Sequence, residues 1–127
     1  MDTSLTNQSP IHVLVVEDEL FSRLHAVDLI ERAGYAAVEA ANADEAIAIL
    51  EARKDIRIVF TDIDMPGSMD GLRLAAVVCA RWPRTKIIVT SGRPNVTPAD
   101  LPVASRFVSK PYHPATVVRN LSQMLTA

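Results

Sequence analysis

The chain has 127 residues, and at roughly 150 residues per domain that leaves room for one compact domain and excludes two. Hydrophobic residues make up 49%, about 62 apolar side chains, which is enough for a sizeable core and too many for an intrinsically disordered chain. Lysine and arginine total 13 against 15 aspartates and glutamates, a net charge of −2, which excludes the basic footprint of a nucleic-acid binder.

Residues 1–10, MDTSLTNQSP, are polar and lack the apolar stretch of a signal peptide, so they read as a tail ahead of one domain over 11–127. Ile11 to Val16 is a β-branched run too short for a helix; it stops at Glu17-Asp18-Glu19, as a buried strand ending in acids would. Leu20, Leu24, Val27 and Ile30 recur at three- to four-residue steps and predict a first helix with these residues inward and Gly34 as its left-handed C-terminal residue. Tyr35 to Ala40 gives a weaker, alanine-rich strand. Asn42 and Glu45 resemble a capping box that opens a helix over 43–54, with Ala46, Ile47 and Leu50 inward and Arg53 and Lys54 at the negative end of its dipole.

Ile56 to Thr61 is an almost unbroken apolar strand, the kind covered on both faces, and it too ends in acid at Asp62-Ile63-Asp64. Asp70 can cap a third helix with Leu72, Ala75, Ala76 and Cys79 on its buried face, closed by Pro83. Arg81, Arg84 and Lys86 around Trp82 read as a solvated helix end. Lys86 to Thr90 and Arg106 to Ser109 are the fourth and fifth strands, and Pro94, Pro98 and Pro102 between them leave room for a short or irregular fourth helix at most. Pro114 opens the last helix, with Val117, Val118, Leu121, Met124 and Leu125 inward. The longest apolar run, Leu74 to Ala80, falls far short of the ~20 residues that span a bilayer. The single Cys79 cannot form an internal disulfide, and no Cys/His pairing suggests zinc, so a cytoplasmic protein without a membrane segment is expected.

Five alternations of strand and helix imply a parallel sheet with right-handed crossovers and helices on both faces. In such sheets ligands sit beyond the carboxyl ends of the strands, where the strand order reverses. The polar residues that interrupt the apolar strands fall at those ends: Glu17 and Asp18 after the first, Asp62 after the third, Thr90 and Ser91 after the fourth, Lys110 after the fifth. Three carboxylates at one sheet edge repel one another unless a cation neutralises them. Magnesium suits an open acidic rim because it keeps several waters and takes only one or two protein carboxylates. Asp18 and Asp62 are the expected direct ligands, with Glu17 acting through water. Lys110 as a point charge and Thr90 as a hydroxyl donor would complete a cradle for a phosphoryl group, and Asp62, central in the sheet, is the candidate nucleophile for an aspartyl phosphate.

These residues resemble the receiver domains of two-component response regulators, over roughly residues 11 to 125. The resemblance rests on Val15-Val16-Glu17-Asp18-Glu19, on Asp62-Ile63-Asp64-Met65-Pro66 followed by Met69-Asp70-Gly71, on Val89-Thr90-Ser91, and on Phe107-Val108-Ser109-Lys110-Pro111. It implies a flavodoxin-like doubly wound sheet of five parallel strands in the order 2-1-3-4-5 with about five helices. It further implies that Asp62 accepts a phosphoryl group from a phosphohistidine of a sensor kinase or a histidine phosphotransfer protein. Asp18, Asp62 and the Asp64 carbonyl would then bind Mg2+, Thr90 and Lys110 would contact the phosphoryl oxygens, and Phe107 would be the switch aromatic. The output face would be the fourth helix, fifth strand and fifth helix, acting on a downstream protein that the sequence does not identify. The chain would be monomeric or a weak homodimer paired through its last helix.

Four features depart from the family pattern. Glu17 replaces the commoner aspartate, one extra residue separates Pro66 from Met69-Asp70-Gly71, Ser91 stands where alanine is usual, and the proline-bearing segment replaces an ordinary fourth helix. The main expectation is a stand-alone phospho-acceptor switch that catalyses its own phosphorylation and dephosphorylation and is no enzyme beyond that. Two other readings compete. One is a phosphorylation-independent adaptor with the same fold. The other is a haloacid-dehalogenase-like phosphatase, suggested by Asp62-Ile63-Asp64 and opposed by Pro66 and by the order of the acidic residues.

Overall fold

The β-branched runs that end in acids form the centre of a five-stranded parallel sheet. The computed structural model describes residues 10–93, 96–102 and 105–126; residues 1–9 of the polar tail and Pro94 lie outside them. In chain order the elements are β1 (His12–Val16), α1 (Leu20–Arg32), β2 (Ala36–Ala40), α2 (Ala43–Ala52), β3 (Ile56–Asp62), α3 (Gly71–Arg81), β4 (Lys86–Ser91), a 3₁₀ turn (Pro98–Asp100), β5 (Ser105–Ser109) and α4 (Pro114–Thr126). The strands lie in the order β2-β1-β3-β4-β5, so the sheet order reverses between β1 and β3. That places the ends of β1 and β3, and hence Glu17 and Asp62, at the position where open α/β sheets bind ligands.

Successive residues of a strand face opposite sides, and the two cores divide accordingly. Leu14, Val16, Val59, Ile87 and Val89 pack with Ala46 and Leu50 of α2 and Leu74, Ala75 and Val78 of α3. Val13, Val15, Ile58, Phe60 and Ile88 pack with Ala26, Leu29 and Ile30 of α1 and Val117, Leu121 and Met124 of α4. Each central strand is therefore apolar on both faces, and the chain spends its polar residues at the strand ends.

The expected doubly wound order is observed, and the expected irregular fourth helix is the single 3₁₀ turn, whose Asp100 Oδ2 accepts from the Thr97 N–H (2.8 Å) and hydroxyl (3.1 Å). Three details differ from expectation. Leu20 and Leu24 do not face the core: they are 50% and 45% exposed, and Phe21 beside them is 77% exposed, because the buried stripe of α1 is Ala26, Leu29 and Ile30. In α3 the buried face is rotated by about one residue, to Gly71, Leu74, Ala75 and Val78, and Ala76 is exposed. Helix α2 ends at Ala52, with Arg53 in an extended conformation instead of the last turn; its guanidinium forks onto Asp55 (2.9 and 2.7 Å), a pairing that takes the side chain away from the helix carbonyls.

Caps behave as their chemistry dictates. Asn42 Oδ1 accepts from the Glu45 N–H (2.8 Å) and Asp70 Oδ1 from the Arg73 N–H (2.9 Å). Gly34 follows α1 with φ of +97°, a conformation other residues adopt only with strain.

Gly71, the first residue of α3, sits hard against the end of β3. Its N–H donates to the Ile63 carbonyl (2.9 Å), and a Cβ at this position would lie 1.9 Å from the Asp62 carbonyl oxygen. Only glycine permits this approach, since the obstacle is backbone that cannot rotate away. Gly71→Ala is therefore expected to destabilise the fold by about 1–3 kcal/mol, the usual range for overpacking, and to displace Asp62. Urea unfolding checks the first effect and the amide chemical shifts of Asp62 to Asp64 the second; an unchanged midpoint with unchanged shifts would contradict it.

Candidate functional site

The loops after β1, β3, β4 and β5 converge on one end of the sheet. The strand register aligns Val16 with Thr61, Asp62 with Thr90, and Ser91 with Ser109, so Glu17, Asp62, Thr90 and Lys110 lie at the same end of the sheet, and the long Lys110 side chain spans from β5 to Glu17. Glu17 and Asp62 are buried (7% and 8% exposed), and Asp18 is exposed. One carboxylate oxygen from each of the three lies within 4.8 Å of the others.

Lys110 bridges the two buried acids: its Nζ donates to Asp62 Oδ2 (2.9 Å) and to Glu17 Oε1 (3.2 Å). The remaining oxygens are also used. Asp62 Oδ1 accepts from the Asp64 N–H (3.2 Å), and Glu17 Oε2 from the Glu19 N–H (3.1 Å). Burial pushes the Glu17 carboxyl above its ordinary pKa and the Asp62 charge adds to this, while the Glu19 N–H and Lys110 oppose it. Burial alone would lower Lys110, but its hydrogen bond to Asp62 and the charges of Asp62 and Glu17 outweigh that and hold it above its ordinary value. The ammonium is thus retained by the carboxylates it neutralises.

The surrounding residues hold this arrangement in place. Glu19 caps α1 by accepting from Ser22 N–H (2.9 Å) and Phe21 N–H (3.1 Å), which fixes the chain directly after Glu17 and Asp18. Arg23, one turn into α1, donates to the Glu17 carbonyl (2.9 Å) and to Glu39 (3.0 Å). Thr90 is 2% exposed, and its carbonyl accepts from the Ile63 N–H (2.9 Å). Phe107, half-buried on β5, is paired with Val89 and packs against the α2–α3 core. The extra residue in the loop after Pro66 is accommodated by Gly67 at φ +111°, and Ser68 anchors that loop to α2 through Asp44 (2.7 Å).

Two features were not anticipated. Ser91 does not turn to Asp62; its hydroxyl bonds Asp64 Oδ2 (3.3 Å) and accepts from the Arg93 N–H (3.0 Å). Arg93 pairs with the Asp64 carboxylate, with Nε at 2.7 Å from Oδ1. The sequence signal for this contact was weak, because Arg93 opens the proline-bearing segment and no helical or strand spacing relates it to Asp64. Beside Lys110 a cavity of about 500 Å³ is lined by Glu19, Phe21, Ser22, His25 and Tyr112, where the exposed α1 residues meet the site. Tyr112 there lies edge-on to Phe60 (centroids 5.8 Å apart) and stacks on His25 (6.2 Å).

Residues 13–122 match the response regulator receiver domain family. The chain belongs to that family. The receiver is 36% identical over 118 residues to the chemotaxis protein CheY of Thermotoga maritima, covering 88% of this chain and 95% of that protein. It is 31% identical to the nitrogen assimilation regulatory protein NtrX of Azorhizobium caulinodans, covering 80% of this chain but 23% of that longer protein. Among solved structures, a response regulator receiver protein from Sinorhizobium medicae superposes with a TM-score of 0.87 at 25% identity, covering 94% of this receiver and 97% of that chain. No helix among the described residues is long and apolar enough to cross a membrane.

The geometry makes the receiver's Lys110 a keystone between two buried carboxylates. Lys110→Met, which keeps the aliphatic stem, is expected to raise the Glu17 pKa further and to destabilise the fold by about 1–3 kcal/mol, less than the cost of breaking a fully buried pair because the site is partly solvated. Titration of the Glu17 carboxyl by NMR and urea unfolding check both; a Glu17 pKa that stays put would refute the bridge.

Proposed function

We propose that this receiver is a Mg2+-dependent phospho-acceptor switch in which Asp62 takes a phosphoryl group from a phosphohistidine of a sensor kinase or histidine phosphotransfer protein. The observation that carries this reading is the pairing of Asp62 with Lys110 beside two further carboxylates at the switch point of the sheet. An all-oxygen set of one exposed and two buried acids fits a hard divalent ion. Asp18, Asp62 and the Asp64 carbonyl would hold Mg2+, with Glu17 acting through water. Bound there, the ion neutralises charge on the transferring phosphoryl oxygens.

In the transfer, an Asp62 carboxylate oxygen attacks phosphorus, the N–P bond of the donor breaks, and its electron pair remains on the imidazole nitrogen. Lys110, already on Asp62 Oδ2, neutralises the phosphoryl oxygens, and the Thr90 hydroxyl donates to them. Asp62 sits in a backbone frame set by Gly71 and Asp64, so positioning costs no reorganisation. Movement of Thr90 toward the new charge would free space for Phe107, two positions into the neighbouring strand, and so bias the β4–β5 surface toward a downstream protein. The exposed Leu20, Phe21 and Leu24, with Phe21 also lining the Lys110 cavity, supply an apolar face on which the donor protein can dock. The reading of a single-domain regulator is supported by the 95% coverage of the Thermotoga protein. No catalytic activity beyond its own phosphorylation and dephosphorylation is proposed.

Intact-protein mass after incubation with Mg2+ and acetyl phosphate tests the acceptor. Wild type is expected to gain one alkali-labile phosphoryl group and Asp62→Asn none; equal labelling of both would sink the assignment, and multiple-turnover hydrolysis of phosphomonoesters would point to a phosphatase instead. A second test is thermal unfolding with and without Mg2+. At 100 times its dissociation constant the ion is expected to stabilise wild type by about 2.7 kcal/mol. Asp18→Asn is expected to lose most of that gain; retention of the full gain would remove Asp18 from the ligand set.

A further inference from the structure

Arg93 is the second cation at the mouth of the site, and the reading above gives it no role. Its guanidinium places Nε and Nη2 on the same Asp64 oxygen, Oδ1, while Oδ2 of that carboxylate is taken by Ser91. The planar fork of an arginine is best satisfied by two separate acceptor oxygens, as on a phosphate, and here it converges on one. Asp64 in turn donates its N–H to Asp62 Oδ1, so the guanidinium's partner itself touches the acceptor carboxylate, whose charge also acts on Arg93. Both side chains of the pair are about half exposed (50% and 48%), and an ion pair so exposed is weak, about 0–1 kcal/mol, and easily exchanged.

Phosphorylation of Asp62 changes what Arg93 faces. A carboxylate with one charge becomes an acyl phosphate with nearly two, carrying three strong acceptor oxygens. Lys110 is already engaged between Asp62 and Glu17, whereas Arg93 has only an exposed, monodentate partner to leave. We propose that Arg93 is a phosphoryl-binding residue: it rests on Asp64 while Asp62 is unmodified, and moves onto the phosphoryl oxygens when Asp62 carries the group, releasing Asp64. The transfer is a switch between two ion pairs with no bond made or broken. Because Arg93 follows β4 directly, the exchange also reports the phosphoryl group to the chain leading into the 3₁₀ turn.

This inference rests on the phospho-acceptor reading, and the test separates the two. Beryllofluoride, a phosphoryl mimic that binds carboxylates, is titrated into the full chain at saturating Mg2+ and followed by fluorine NMR. Arg93→Gln is expected to weaken binding about tenfold or more, the scale of a charge-assisted hydrogen bond, and Arg93→Lys to recover only part of it, because an ammonium lacks the fork. Asp64→Asn is expected to tighten binding in the wild-type background and to lose that effect in the Arg93→Gln background, which simple relief of negative charge would not. Unchanged binding by Arg93→Gln, or equal tightening by Asp64→Asn in both backgrounds, overturns the role of Arg93 while leaving the acceptor intact. A wild type that neither binds beryllofluoride nor gains phosphoryl mass overturns both.

Discussion

Like charges gathered at one sheet edge are the constraint on which the rest of this structure depends. Parallel strands all end on the same side, so every polar residue placed after a strand is delivered to one rim. Here that rim collects Glu17, Asp18 and Asp62 with carboxylate oxygens within 4.8 Å, an arrangement that is unfavourable unless cations oppose it. Lys110, arriving from β5 across the full width between that strand and β1, is the internal answer. It neutralises about one charge of three, and the negative charge that remains is what a hard divalent cation would offset.

Keeping such a rim open requires that the framework beneath it be indifferent to the charge above it. The central strands meet this by burying apolar side chains on both faces, with Ile58, Val59, Ile87, Ile88 and Val89 all essentially inaccessible. Asp62 itself is held by backbone: Gly71 approaches it more closely than any other residue type could, and the Asp64 N–H fixes one oxygen of its carboxylate. On the proposed phosphorylation, the side-chain groups nearest to hand to respond would be the Thr90 hydroxyl, Ser91, Arg93 and the Asp64 carboxylate.

The sequence was most informative where one local rule decides the outcome. The strands β1, β3 and β4 are legible because their apolar runs are short and end in polar residues, and the site is legible because four such ends coincide. The caps at Asn42 and Asp70 follow from their side-chain chemistry alone. Helix faces were less legible. Leu20 and Leu24 have the spacing of an inward stripe, yet they are 50% and 45% exposed while the core takes Ala26, Leu29 and Ile30. The helix period by itself does not say which of two apolar stripes is buried. Arg53 was misplaced for a related reason: the pull of Asp55, two residues on, outweighed the attraction of the α2 dipole. The Arg93–Asp64 pair was the least visible, since it joins residues 29 positions apart in two loops with no periodicity of their own.

Three of the four departures from the family pattern have visible structural consequences. The lengthened loop after Pro66 is tied to the first turn of α2 by Ser68 and Asp44. Ser91, where a smaller residue is usual, supplies the hydroxyl that holds both Asp64 and the Arg93 backbone. The segment in place of a fourth helix has a 3₁₀ turn and no α-helix among its described residues. Strand β4 ends at Ser91, and Arg93 is the first charged residue after it. A change of charge at Asp62 would therefore act on the chain as it leaves β4, through a side chain whose present partner is exposed and easily given up.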